Sequence, residues 1–96
     1  MTIRVGAISK VIVSIKIFPS DVTVDLGLLK EKIKKNLPEY ASVYKFVEEP
    51  IAFGLVALIA HIVFPEEKSG GLDEVEENLR KINEISEMET LMVRRV

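Results

Sequence analysis

Cysteine is absent from the 96 residues, which removes disulfides and thiolate metal sites from consideration. Glutamine is missing too, and histidine occurs once, at His61. A lone imidazole leaves no Cys/His metal spacing, and no Ser/His/Asp nucleophilic set or Gly-rich phosphate loop is visible. Excess basic charge is also lacking. The formal net charge is −2, so blanket electrostatic binding of nucleic acid is not expected. These absences together disfavour covalent catalysis and point to no cofactor. Met1–Ala7 carries one Arg and no sustained apolar region, so no signal peptide is expected. The lack of cysteine suits a cytosolic setting. Missing glutamine with abundant Lys and Glu matches the composition of thermophilic proteins.

What is present is a globular composition, 48% hydrophobic and 29% charged, in a length that supports one two-layer core. One domain over residues 1–96 is expected, with 1–7 as an extension. Charge is uneven: residues 1–48 hold eight Lys/Arg against five Asp/Glu, and residues 49–96 hold five against ten.

From Ile8 to Phe18 the chain alternates, with Val11, Val13, Ile15 and Ile17 on one face and Ile12, Ser14, Lys16 and Phe18 on the other. That is a half-buried strand, ended by the turn residues Pro19-Ser20-Asp21. Asp25 reads as a helix N-cap. Leu26, Leu29, Ile33 and Leu37 then recur at helical spacing before Pro38 stops the helix. Lys30, Lys32, Lys34 and Lys35 face solvent or flank the stripe; such a cluster could read an anionic patch, but it reads first as a solvated face with cations near the C-terminal end. Ser42–Val47 predicts a short strand with Val43, Lys45 and Val47 sharing a face, followed by a Glu48-Glu49-Pro50 break.

The longest apolar run follows. Pro50 cannot donate a ladder hydrogen bond, so regular strand should begin after it, with Phe53 and Gly54 at its mouth. The run is too short to span a bilayer, which takes roughly 18 or more apolar residues. Val56, Leu58, Ala60, Ile62 and Phe64 fall on one face, and Ala57, Ile59, His61 and Val63 on the other. A lone His here reads as a packed strand residue without an obvious partner. Leu72, Val75, Leu79 and Ile82 mark a second helix, with Asp73 and Glu74 in its first turn. Its acidic run Asp73, Glu74, Glu76 and Glu77 reads as a solvated face rather than a metal site. Glu87–Val96 predicts a last strand.

The order β-α-β-β-α-β is that of an α+β, ferredoxin-like split βαβ sandwich. Two right-handed crossovers give a four-stranded antiparallel sheet, order 4-1-3-2, with both helices on one face. The His61-bearing face is then the open one. Its apolar residues mark a partner interface, or a surface through which two copies could pair weakly, the alternative being that a terminal extension covers them. In this topology the end of strand four, with Arg94 and Arg95, is expected beside the start of strand three. That would put the cations about 10 Å from Phe53, two inter-strand spacings away.

The segment Glu48-Glu49-Pro50-Ile51-Ala52-Phe53-Gly54-Leu55-Val56-Ala57-Leu58, with the terminal Val93-Arg94-Arg95-Val96, closely resembles the archaeal translation elongation factor 1-beta family. These are guanine-nucleotide exchange factors for the GTPase elongation factor 1-alpha. The resemblance implies a ferredoxin-like fold and a function without covalent chemistry. The factor would bind the GDP-bound and nucleotide-free GTPase, disturb its Mg²⁺ and phosphate site, and regenerate the form that takes aminoacyl-tRNA. It further implies a partner-binding set of Pro50, Ile51, Ala52, Phe53, Gly54, Arg94 and Arg95. The aromatic of the Pro-x-x-Phe-Gly segment maps to Phe53, and the penultimate basic residue, Lys in eukaryotic members, maps to Arg95. Competing readings are a ferredoxin-like RNA-binding module, which would want stacking aromatics on the central strands, and a small-molecule or oligomerising regulatory module.

Overall fold

The computed structural model describes residues 9–67 and 70–95. The Met1–Ala7 extension, Ile8 at the expected start of the first strand, and the terminal Val96 lie outside them. The elements are β1 (Lys10–Pro19), α1 (Leu26–Asn36), β2 (Ser42–Pro50), β3 (Val56–Pro65), α2 (Gly71–Arg80) and β4 (Ile85–Arg95). The sheet order is β2-β3-β1-β4, and every neighbouring pair is antiparallel. This is the ferredoxin-like arrangement, with the two most apolar strands, β1 and β3, in the middle.

Alternation sorts the central strands as expected. Val13, Ile15 and Ile17 of β1 and Leu58, Ala60 and Ile62 of β3 lose all solvent exposure, with Phe64 nearly as deep. Leu29 and Ile33 of α1, Val75 and Leu79 of α2, and Ile82 complete this core from the helical side. Burying a Val, Leu or Ile side chain contributes about 1.5–3 kcal/mol relative to leaving it in water, so this cluster holds the two layers together.

Local signals set the helix ends. The Asp25 carboxylate accepts from the Leu28 amide at 3.1 Å, a cap of the kind that contributes about 1 kcal/mol. Leu37 is extended, as a residue before proline prefers to be, and α1 stops there. Three of its four lysines meet carboxylates: Lys30 pairs with Glu48 at 3.1 Å, Lys34 with Glu31 at 3.6 Å, and Lys32 with Glu84. The acidic face of α2 is likewise engaged, with Tyr40 donating to Glu74 and Thr90 donating to Glu76 at 2.7 Å.

Gly71 opens α2 directly against the Phe64 ring. A Cβ there would sit 2.9 Å from two ring carbons, well inside van der Waals contact. Gly71→Ala is therefore expected to cost about 1–3 kcal/mol through overpacking, and a urea melt against wild type checks it. An unchanged midpoint would mean that Phe64 moves aside freely.

Strand β2 differs from the sequence reading in two ways. Glu48-Glu49-Pro50 is not a break: β2 continues through it, with Glu48 opposite Leu58, Glu49 opposite Ala57 and Pro50 opposite Val56. Pro50 is tolerated because β2 is an edge strand. The Ile51 amide donates to Leu55 O at 2.8 Å across the pair, so the nitrogen one residue earlier points away from β3. The second difference is a bulge in β2. Val43 lies opposite Ile62, but Lys45 rather than Tyr44 lies opposite His61. The extra residue shifts the alternation, so Val43 and Phe46 pack on the core while Tyr44 and Val47 are exposed. The strict period-2 grouping of Val43, Lys45 and Val47 fails for this reason.

Candidate functional site

Phe53 does not begin a strand. It occupies a tight turn, Ala52–Gly54, at the tip of the β2–β3 hairpin. The Leu55 amide closes the turn on Ala52 O at 3.2 Å, and Phe53 and Gly54 both have positive φ, 58° and 80°. Two successive left-handed residues match the right-handed twist of a hairpin, but the favoured sequence there is Asn-Gly or Gly-Gly. For a bulky aromatic the left-handed region is an outlier that costs roughly 1–2 kcal/mol. Burial does not compensate, because the side chain is 96% exposed. Val22, on the loop after β1, reaches the same tip: its Cγ1 lies 3.9 Å from where a Gly54 Cβ would be, and it too is exposed. A strained, fully presented aromatic is a feature to be explained by what it meets outside the chain.

Arg94 and Arg95 are not beside this tip. Strand β4 is antiparallel to β1, and so is β3, so β3 and β4 run in the same direction. In the registers, Val11 lies opposite both Phe64 and Arg95, while Ile17 lies opposite both Leu58 and Met88. The arginines therefore sit at the exit of β3, on the order of 30 Å from the hairpin tip at about 3.3 Å per strand residue. The structure brings Pro50, Ile51, Ala52, Phe53 and Gly54 together at one end of the sheet and Arg94 and Arg95 at the other. The expectation of about 10 Å treated strands on either side of β1 as opposed in direction, which two antiparallel partners of one strand cannot be.

The two arginines also part company across the sheet. Arg95 lies on the helical side, and its Nε donates to Glu66 Oε2 at 2.6 Å while its side chain remains 75% exposed. Arg94, opposite Ile12, faces the open side.

That open side is more polar than the sequence suggested. Lys16 of β1 pairs with Glu49 of β2 at 2.9 Å. His61 has a partner after all: its Nδ1 lies 2.8 Å from the hydroxyl of Ser14 on β1. The signal was available, since Ser14 is the polar interruption of β1 just as His61 is of β3, and both fall on the same face. Lys16 also stands over the Phe18 ring, 5.4 Å from its centre, and Tyr44 is on an edge strand. The central strands thus offer no free pair of rings for stacking bases.

Burial, and then the charges of Lys45 and Arg94, hold the His61 imidazole below its ordinary value of 6.5. The folded state therefore takes up a proton less readily than the unfolded chain, and stability rises with pH across that interval. Wild-type melting temperature is expected to fall as pH drops below 6.5 and to level once the folded imidazole has titrated. His61→Gln should lack this component of the decline, which thermal melts between pH 5 and 7.5 would show. Parallel profiles for the two proteins would contradict it.

No described helix is long and apolar enough to cross a membrane. Residues 12–96 match the family model described as the EF-1 guanine nucleotide exchange domain. Among curated proteins, the chain is 42% identical over 88 residues to an elongation factor 1-beta of Staphylothermus marinus, covering 92% of this chain and 98% of that one. It is 44% identical over 86 residues to the elongation factor 1-beta of Sulfolobus acidocaldarius, covering 90% and 96%. The elongation factor 1-beta of Methanothermobacter thermautotrophicus is 42% identical over 86 residues, covering 90% and 96%.

Proposed function

The chain belongs to the EF-1 guanine nucleotide exchange domain family, and from that membership we propose that it accelerates replacement of GDP by GTP on elongation factor 1-alpha in the cytoplasm. The reading treats residues 1–96 as one exchange domain that does no covalent chemistry and needs no cofactor. The observation that carries it beyond membership is Phe53, strained and 96% exposed at the hairpin tip. An exposed aromatic on a tight hairpin turn suits insertion into an apolar recess of a partner, where such anchors dominate binding energy.

Pro50 to Gly54 form the apolar contact in this reading. Arg94 and Arg95, on the order of 30 Å away by strand rise, form the cationic one. The GTPase is then held at two separate places. A guanidinium brought beside the bound Mg²⁺ disfavours the metal, which is the main counter-charge of the nucleotide's phosphates. Binding the nucleotide-free GTPase more tightly than the GDP form weakens nucleotide by the same factor, as linkage requires.

Release of a fluorescent mant-GDP from elongation factor 1-alpha, with and without this chain, tests the reading. Acceleration at substoichiometric chain is expected. No acceleration at micromolar concentrations would sink it.

A further inference from the structure

Both edge strands are bulged, β4 twice, and one bulge of each flanks the same cross-strand row. That row runs Lys45 of β2, His61 of β3, Ser14 of β1 and Met92 of β4. In β2 the bulge falls between Val43 and Lys45, and in β4 Leu91 is the extra residue between Met92, opposite Ser14, and Thr90, opposite Ile15. Without the first, Lys45 would turn toward the helices. The second lets Met92 and Arg94 face the open side while Thr90 reaches Glu76 on the helical side. Bulges commonly re-aim side chains in this way.

The result is a cavity of about 320 Å³ on the open face, with Ser14 and His61 at its floor and Lys45 and Arg94 on opposite rims. Tyr44, Ile12 and Met92 complete the wall. Among the described residues no carboxylate lines it, and neither Lys45 nor Arg94 forms an ion pair there. The nearest acids on the face lie toward the other end of the sheet: Glu49 is taken by Lys16, and Glu89 lies opposite Lys16. Two cations therefore stand on one cavity without a carboxylate partner among the described residues, in a chain whose net charge is negative.

We infer that this cavity receives a carboxylate-bearing segment of the GTPase, an Asp or Glu side chain seated between Lys45 and Arg94 with its apolar neighbours against Tyr44, Ile12 and Met92. The inference rests on the exchange-factor reading and adds a third contact to it, adjoining the arginine end. Charge complementarity specifies the occupant. Ser14 and His61 supply hydrogen-bonding groups at the floor, and a carboxylate beside His61 favours the imidazolium, which then donates as well.

The test uses full-length chain, elongation factor 1-alpha loaded with mant-GDP, and the variants Lys45→Glu and Lys45→Met. Lys45 is exposed, so both should fold. For Lys45→Glu, the GTPase concentration giving half-maximal exchange should rise roughly tenfold, with a weaker salt dependence, as for a charge at an interface rim. Lys45→Met should shift it less, and both should keep the saturating rate within about twofold of wild type. In the wild-type complex the single histidine resonance should titrate at higher pH than in the free chain. Half-saturation within twofold of wild type for both variants would overturn the inference and leave the exchange reading standing. A histidine resonance that responds to inorganic phosphate but not to the GTPase would assign the cavity to a free anion and also overturn it. No exchange by the wild-type chain would sink both.

Discussion

Phe53→Asn is expected to remove most of the exchange activity while leaving the protein as stable as wild type, or more so. The two halves of that result have separate causes. Truncating an aromatic anchor at the centre of an interface costs about 2–4 kcal/mol of binding, so exchange at subsaturating GTPase should fall roughly 30- to 1000-fold. Stability moves the other way because the side chain contributes nothing to the core: it is 96% exposed, on a backbone with φ 58°. Asparagine occupies the left-handed region far more readily, and Asn-Gly is the favoured pair for this kind of hairpin turn. Phe53→Ala would lose activity equally without the gain in turn fit. Exchange kinetics and a thermal melt on the same samples decide the matter. Wild-type exchange in Phe53→Asn would remove Phe53 from the interface, and a fall of many degrees in melting temperature would show an internal role for the ring.

Arg95→Ala is expected to lower the saturating exchange rate by on the order of 10²-fold, the scale of one well-placed electrostatic group at a reacting centre. The fold should not notice, because the pair with Glu66 at 2.6 Å is largely exposed and such pairs contribute little to stability. Arg95→Lys should retain much of the activity, since a compact cation still opposes Mg²⁺ by charge alone. The measurement specific to this mechanism removes the metal. With Mg²⁺ chelated, the GTPase releases nucleotide without help at that site, so the gap between wild type and Arg95→Ala should shrink. A gap of the same size with and without Mg²⁺ would mean that Arg95 acts by some other route. Glu66→Gln, which frees the guanidinium, should leave the saturating rate close to wild type.

Much of the molecule was legible in its residues. The buried face of β1, the cap at Asp25, the stop at Pro38 and the apolar stripe of α2 follow from patterns a few residues long. Each pattern has one physical solution when a core must be formed. The strand order followed as well, because two right-handed crossovers leave few alternatives. The hairpin tip was recognisable as a segment but misplaced. Glu48-Glu49-Pro50 looks like a break in the sequence, although an edge strand accommodates the proline and β2 runs through it. The phase of β2 is not legible locally, because a bulge at Tyr44 leaves no mark in a run of strand-forming residues interrupted only by Lys45.

The chain by itself determined which elements form, which residues they bury and which segment carries the family's features, since periodicity, capping and turn chemistry act over short spans. Only the tertiary structure decided where those features stand relative to one another. It set Phe53 and Arg95 at opposite ends of the sheet, paired Ser14 with His61, and turned Lys45 and Arg94 into one cavity. Those outcomes depend on strand direction and on two single-residue bulges that phase edge strands against central ones. Their energies arise between residues distant in sequence, so no short window contains them.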